Sequence, residues 1–515
     1  MPSQTRTIVF DDELQAKIAS ALEKVYKVAA ASYGPKAGIS LIEQPYGAPT
    51  ASRDGVTNIR KVYLEDPTEN MVSAIVRMAS EQNNQKVGDG TTAVAILSHH
   101  LYTAARKKIS GGHNRMEVAE RLNFSAKKIL AQLDELSIPV TEKILKSVAV
   151  VAAGNEGVGH MIADIIGEVG VEGGVTLEDF KGVGIHPEVV DGFYFRKGYS
   201  SINLINDPSN LESHHSNVPI LISEKRLATV PDIAPVLDKI VGSGIKDLVV
   251  VGEVADEALS VLLLNRMKGI VNTCVVDLPL FAGTRSMVME DLAVLTGGKV
   301  YTPGAEAKDF DPAMLGVAAR VEVTGYSTAI IGADGAQEDV DTRLAEIRKQ
   351  LEEATHPGDI EAIKDRLARL TGKVAIIRVG GATDIEQQEV KLRVQDAVCA
   401  VQAAIRGGVC PGGGVALARV SGVEFDEAYQ QPFKQLMVNA GLNPEAYLAR
   451  VQEANRWQGY NLKDLTDKPQ DLLKAGVVDP TLVLKEVVQN ATSIVSKLIT
   501  ATSAITYKDR EAKRE

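Results

Sequence analysis

Aromatic side chains are scarce in this 515-residue chain: Phe, Trp and Tyr together make up 4%, with a single tryptophan, Trp457. A chain of this length divides into two or three domains. Their cores must be filled by Val, Ile, Leu and Ala, which suits helices packed closely through small residues. Cysteine is scarcer still. Cys274, Cys399 and Cys410 are odd in number and show no paired spacing, which argues against a disulfide scaffold and against a zinc site. Cys399 stands among apolar residues and reads as a buried small side chain. No apolar run approaches the ~20 residues of a membrane span, and residues 1–13 lack the apolar core of a signal peptide. A reducing, cytoplasmic setting is therefore expected. The net charge of −11 argues against a general nucleic-acid or anionic-membrane binder. Two nucleotide signatures are also missing. There is no Walker A sequence, and no Gly-x-Gly-x-x-Gly follows a strand. His99-His100 and His214-His215 are adjacent pairs whose side chains should point apart rather than chelate a metal.

What the chain does carry is Gly88-Asp89-Gly90-Thr91-Thr92. An acidic residue sits between two glycines, ahead of two hydroxyls and an apolar run. That order suits a tight turn feeding a helix N-terminus, where free N–H groups and the helix dipole attract phosphate. Thr91 and Thr92 can donate to phosphate oxygens. Asp89 would repel them unless a hard cation such as Mg²⁺ bridges the two. The same order also makes an ordinary capped turn, and the pentapeptide alone does not separate these readings. Two further turns, Ser32-Tyr33-Gly34-Pro35 and Ser52-Arg53-Asp54-Gly55, could converge with it on one polyphosphate and its metal.

Residues 12–31, 68–135 and 481–505 read as helical from their three- and four-residue apolar spacing, while 36–65 is turn-rich and β-like. Residues 190–374 alternate helices with β-branched runs (Ile220-Leu221-Ile222, Leu248-Val249-Val250-Val251, Val275-Val276, Ala329-Ile330-Ile331), an α/β pattern. A long helix is predicted over 385–405. It places Asp396 on a mostly apolar face, where a carboxylate is unusual and is ordinarily salt-bridged or solvent-facing. The ends of the chain look alike and the middle differs, as in an inserted domain.

From Tyr33 to Thr92 the chain resembles the group I chaperonins, the 60-kDa GroEL/Hsp60 family, as a divergent member. The pieces that carry the resemblance are Gly34-Pro35-Lys36, Tyr46-Gly47-Ala48-Pro49-Thr50, Arg53-Asp54-Gly55-Val56, Leu64-Glu65-Asp66, Glu69-Asn70-Met71 and the 88–92 motif. Others follow in the same order downstream, among them Gly198-Tyr199, Glu257-Ala258-Leu259, Leu295-Thr296-Gly297-Gly298, Arg393-Val394-Gln395-Asp396-Ala397, Gly412-Gly413-Gly414 and Asp479-Pro480-Thr481. The resemblance implies a multidomain α and α/β chaperonin fold. In it a helical equatorial domain (1–133 and 407–515) and an intermediate connector (134–190 and 375–406) bracket an inserted α/β apical domain (191–374).

It also implies an ATPase coupled to protein folding. Asp89 would be the Mg²⁺ ligand, with Gly90, Thr91 and Thr92 on the phosphates. Ser32, Tyr33, Gly34 and Pro35 would form the loop beneath them, and Gly413 and Asp479 would contact adenosine. Asp396 would polarise the attacking water, with Asp54 a second acidic group near it. Arg53 stands where lysine is usual, which keeps the charge but not the compact ammonium and bears on K⁺ dependence. Ser32-Tyr33 replaces a usual Thr-Leu, and Ala93 a third threonine.

Residues 229–242 read as a helix capped by Thr229, followed by another over 256–268. Both carry more apolar positions than one buried face needs, although ordinary core helices would look similar. The resemblance makes them a groove for unfolded polypeptide and a co-chaperonin loop, lined by Tyr199, Ala234, Leu237, Leu259, Leu263 and Leu264. Asn203 and Leu204 depart from the aromatic pair usual nearby. The segment 418–433 is short for the family, and the sequence closes on a charged stretch instead of a Gly-Met-rich tail. The implied assembly is a homo-oligomer of seven-membered rings, single or stacked, without nucleic-acid or membrane partners. The alternatives are an ATP-binding holdase or structural ring protein without a folding cycle, and a small-molecule phosphotransferase. Against the last, no His, Lys or Cys constellation marks a substrate pocket.

Overall fold

The apolar periodicities become helices and strands in the computed structural model, which describes residues 6–43, 49–52, 55–170, 174–208, 211–278, 282–354 and 356–507. The chain divides into two compact units, Met1–Ala163 with Leu392–Glu515, and Asp164–Lys391.

The first unit is helical. Helix Thr481–Thr500 packs against Pro67–Val87, Thr91–Ser110 and Arg115–Leu136, and Asp11–Ala31 closes on the first two of these. Its core shows how helices pack without many aromatics. Ala21, Ala29, Ala95, Ala105 and Ala491 lie almost fully buried at the crossings, with Leu14, Ile18, Leu22, Val94, Val487 and Val495 filling between them. Small side chains let backbones approach and so raise packing density without bulk.

Three sequence expectations change in detail. The predicted helix over 68–135 is three helices, interrupted at 88–90 and 111–114. The β-like stretch 36–65 holds the hairpin Ser40–Ile42 with Thr50–Ser52, but Gly55–Arg60 is helical. The last helix ends at Thr500, and Ser503–Tyr507 is a strand antiparallel to Arg6–Phe10. That pairing joins residues some five hundred positions apart, which local periodicity cannot reveal. Val9 and Ala504 point inward at 4% and 5% exposure, while Ile8, Phe10, Ile505 and Tyr507 alternate outward and stay exposed.

The second unit is built on an eight-stranded mixed sheet. Its order is Gly174–Asp179, Lys373–Gly380, Gly184–Phe195, Thr328–Ala333, Gly316–Val323, Ser213–Leu227, Asp247–Val254, Asn272–Val276. All four predicted strand runs fall in it. The last three strands are parallel neighbours, linked by helices Val230–Gly242 and Asp256–Met267 as the α/β pattern requires. Alternation divides their side chains between two cores. Ile220, Ile222, Val249, Val251, Cys274 and Val276 face one way, and Leu221, Leu248, Val250 and Val275 the other, beneath the two linking helices.

Adjacent histidines follow the strand rule at 214–215. His214 meets Glu212 and Glu322, which lift its pKa to about 10 through hydrogen bonds and charge. His215 lies on the opposite face, buried against Ser213 and Asp247. On helix Thr91–Ser110 the expectation fails. His99 and His100 do not diverge; both rings lie against Tyr26, at 4.6 and 5.0 Å between centroids. Among the described residues no three or more His, Cys, Asp and Glu side chains gather as a ready-made metal cluster.

Candidate functional site

Within the helical unit lies a cavity of about 1330 Å³, ample for a nucleoside triphosphate. Loop 32–35 borders it with all four of its residues, and Asp89, Gly90, Gly413 and Asp479 border it too. Segments more than four hundred residues apart in the sequence thus border one cavity.

Gly90 is where the turn becomes a helix. Its φ of 81° lies in the left-handed region, and a Cβ there would stand 2.6 Å from Val487 Cγ2 and 2.9 Å from Val483 Cγ1; only glycine fits. The first helical hydrogen bond is Val94 N–H to Gly90 O. The N–H groups of Thr91, Thr92 and Ala93 therefore have no partner within the helix. Ala93 reaches the cavity lining. Thr91 is buried just behind it, and Thr92 is half-buried against Gly55, at the start of helix Gly55–Arg60. Arg53 and Asp54, which precede that helix, lie outside the described residues. Asn83 holds the turn by donating its amide to the Asp89 carbonyl.

The cavity brings charges of both signs together, with Glu142 and Glu156 among its acidic lining residues. Lys143, Lys146, Lys463, Lys474, Arg393 and His160 line the walls. On the floor, burial and then the neighbouring Asp89 carboxylate push Asp479 up to about 7, against N–H bonds from Gly414 and Gly413 that favour the anion. Two carboxylates facing one cavity at this cost fit a bound divalent cation, which would relieve their repulsion. Burial, with Asp479 and Asp89 nearby, also holds the Tyr33 phenol well above its ordinary range, so it remains a neutral O–H.

The Asp479 shift has a measurable sign. Its folded value of about 7 lies above the ordinary 3.8, so the folded protein holds that proton more tightly than the unfolded chain does. The resulting stabilisation is complete below pH 3.8 and is lost as pH rises through about 7. Melting curves of the nucleotide-free protein should therefore show wild type losing ground to Asp479→Asn across that window. Parallel pH profiles would contradict the raised pKa of the buried Asp479 carboxyl.

Asp396 lies half-buried on helix Asp384–Gly407. Three residues earlier Arg393 lines the cavity. Three residues later Cys399, half-buried rather than buried as expected, packs so tightly on Gly88 that a Cβ there would collide with it. Asp396 sits between these two on one helix face and is not among the residues that line the cavity.

The other predicted residues lie in the sheet unit. Val230–Gly242 opens at Thr229 as expected, and its cap is a capping box with Asp232. Leu237 is 4% exposed and belongs to the core, where Ile233, Val236 and Ile240 extend the same buried stripe. Ala234, Leu259, Leu263 and Tyr199 are half-buried, and Leu264 is 50% exposed. Sequence reasoning missed other open apolar side chains of this unit, among them Met267 at 84% and Ile202 at 53%. Leu204, at the predicted departure from the aromatic pair, is fully buried.

The model of the TCP-1/cpn60 chaperonin family matches residues 25–423 and 421–508. The chain belongs to that family, as a divergent member of the GroEL/Hsp60 type. Among solved structures it is similar to the chaperonin gp146 from bacteriophage EL 2 (Pseudomonas aeruginosa), crystallised in the presence of ATP-BeFx. In one crystal form the match has a TM-score of 0.74 at 16% identity and covers 99% of this chain and 100% of that one. In another the TM-score is 0.64 at 17% identity, with 98% and 99% covered. Likeness at this identity speaks for the fold, and the fold is a chaperonin's throughout.

Proposed function

We propose that this chaperonin is an ATPase that captures non-native polypeptides in an oligomeric ring and promotes their folding through ATP-driven domain rotation. The observation that carries this reading is the single cavity in which loop 32–35, the Asp89-Gly90 turn, Gly413 and Asp479 meet. In it, the N-terminus of helix Thr91–Ser110 and loop 32–35 bind the phosphates, and Gly413 and Asp479 take the adenosine end. Absent side chains at Gly412-Gly413-Gly414 let a ring approach the backbone closely. Mg²⁺, when bound at Asp89, supplies charge neutralisation for the phosphates, and Arg53 bears on any K⁺ requirement. Asp396 accepts a proton from, and orients, the water that attacks the γ-phosphate, with Asp54 as a second acidic group.

We assign 1–133 and 407–515 to an equatorial domain, 134–190 and 375–406 to an intermediate one, and 191–374 to an apical one. The compact unit Asp164–Lys391, formed from one continuous stretch within the chain, supports this nested plan. Assembly is taken to be into seven-membered rings, single or stacked; self-association as such is supported by the apolar outward faces of the terminal ribbon and by Leu41, 80% exposed on the hairpin. Exposed apolar side chains on short strands with unpaired edges favour pairing with another copy. A cytoplasmic site of action and a co-chaperonin partner complete the proposal; no helix among the described residues is long and apolar enough to cross a membrane.

Client capture falls to helices Val230–Gly242 and Asp256–Met267 with Tyr199. Leu264 offers the directly exposed contact, Ala234, Leu259 and Leu263 half-open ones, and Leu237 the floor. Apolar burial is sequence-tolerant and reversible, which suits transient capture. Native mass measurement should find a ring, and the ring should bind a chemically denatured client and release it on ATP addition. Leu264→Glu with Met267→Glu should weaken client binding at least tenfold, since a buried carboxylate in the groove is strongly disfavoured, with basal ATP hydrolysis retained. A stable monomer, or equal client binding by the double variant, would defeat the reading.

A further inference from the structure

The loop 32–35 follows the C-terminus of helix Asp11–Ala31, where backbone carbonyls lose their helical partners. One carbonyl of the last turn, Ala30 O, and one of the loop, Tyr33 O, are met from a distant part of the chain. Asn439 Nδ2 donates to Ala30 O at 2.8 Å and to Tyr33 O at 2.7 Å. Its Oδ1 accepts from Gln435 Nε2 at 2.9 Å, and Gln435 Oε1 accepts from the Tyr26 hydroxyl at 2.7 Å. The direction of this series is fixed by chemistry. Two carbonyls can be met only by an NH₂ group, which orients the Asn439 amide; that in turn orients Gln435, and Tyr26 must then be the donor.

The ends of the relay are also held. Leu436, on the same helix Gln431–Asn439, fills the space where a side chain on Gly34 would stand. Tyr26 is stacked on His99 with 5° between ring planes and meets His100 edge-on. Burial keeps both imidazoles below their ordinary range, His100 at about 4, so they pack on Tyr26 as neutral rings. Both histidines belong to helix Thr91–Ser110, whose first turn borders the cavity. Helix Gln431–Asn439 therefore ties loop 32–35 to the helix that begins at the Asp89-Gly90 turn.

We infer that Asn439 is a positioning residue of the nucleotide site, holding loop 32–35 in its phosphate-binding shape through the relay Tyr26–Gln435–Asn439. The inference rests on the ATP reading of the cavity. Asn439 does not line that cavity and touches no nucleotide; it acts through the two carbonyls it holds. Neither periodicity nor any motif marks it, because its role comes from partners some four hundred residues away.

The test is steady-state ATP hydrolysis and ATP binding by the full-length assembly. Asn439→Asp keeps the size and the oxygen that accepts from Gln435, but sets a carboxylate oxygen against two carbonyls. Its KM for ATP should rise about tenfold or more, with kcat within about threefold, because ground-state and transition-state binding are lost together. Tyr26→Phe, which keeps the stacked ring and loses only the far donor, should raise KM about two- to threefold. Gln435→Ala should fall between them. This graded change in KM is something a merely structural role would not produce; such a role would lower the melting temperature and leave KM alone. If Asn439→Asp fails to assemble, the Tyr26 and Gln435 variants carry the test, and unchanged KM in both overturns the inference. Assembled variants that bind ATP as wild type does overturn the positioning role alone. A wild-type protein that binds no ATP overturns the nucleotide reading beneath it.

Discussion

Asp396→Ala is expected to slow ATP hydrolysis by roughly 100-fold or more while leaving ATP affinity within about threefold, the pattern of a lost general base. The expectation rests on position. Helix Asp384–Gly407 presents Arg393 to the cavity and Cys399 to Gly88, and Asp396 lies between them on the same face. Cys399 on that face touches Gly88, the residue before Asp89, and the helix N-terminus that follows leaves three N–H groups without helical partners. A carboxylate at that place can orient a water without contributing to nucleotide binding, so the loss should appear in kcat and not in KM. Single-turnover hydrolysis beside equilibrium binding separates the two. Asp396→Asn is the finer comparison, since it preserves shape and hydrogen-bonding capacity but cannot accept the proton. Equal single-turnover rates for wild type and Asp396→Ala would remove Asp396 from the chemistry and leave its half-buried charge to a purely structural account.

How far the sequence disclosed this arrangement depends on the range of the interaction concerned. Strands 220–222 and 248–251 were legible because β-branched runs declare themselves locally. The Asp89-Gly90 turn was legible because a left-handed residue ahead of a helix demands glycine. The Thr229 cap was legible because its partner Asp232 is three residues away. What stayed hidden was set by tertiary contact. The terminal ribbon pairs Arg6 with Tyr507. Leu237 carries the same apolar label whether it lines a groove or fills a core, and only packing shows that it is buried. His99 and His100 converge because Tyr26 offers one ring surface to both. Asn439 looks like any polar residue at a helix end until its two carbonyl partners are known.

The largest stability effect is expected in the sheet unit, at Asp291. This carboxylate is 1% exposed on helix Ala282–Thr296 and takes both arms of Arg366, from helix Pro357–Leu370, at 2.8 and 2.9 Å. Arg343 Nε, from helix Gln337–Glu353, adds a third bond at 2.8 Å. Arg366 is itself 2% exposed, and its remaining contacts are the Gln350 side-chain oxygen and Met287 sulfur. Three helices therefore converge on one buried anion. Asp291→Ala strands the Arg366 cation in an apolar setting and should cost about 3–5 kcal/mol. The double variant Asp291→Leu with Arg366→Met should recover most of that loss, because an apolar pair of similar volume needs no counter-charge. Arg343 tolerates the change, since Glu290 and Glu346 still pair with it at the surface. Chemical denaturation of the single and double variants decides the matter. If both lose the same amount, the three helices are held by shape alone and the charges add nothing. If only the single variant is weakened, the buried ion pair is a matched set whose members cannot be replaced one at a time. On the proposed function, client capture should then fail in Asp291→Ala at temperatures where ATP hydrolysis persists, because the lesion lies in the unit assigned the groove and not in the unit assigned the nucleotide.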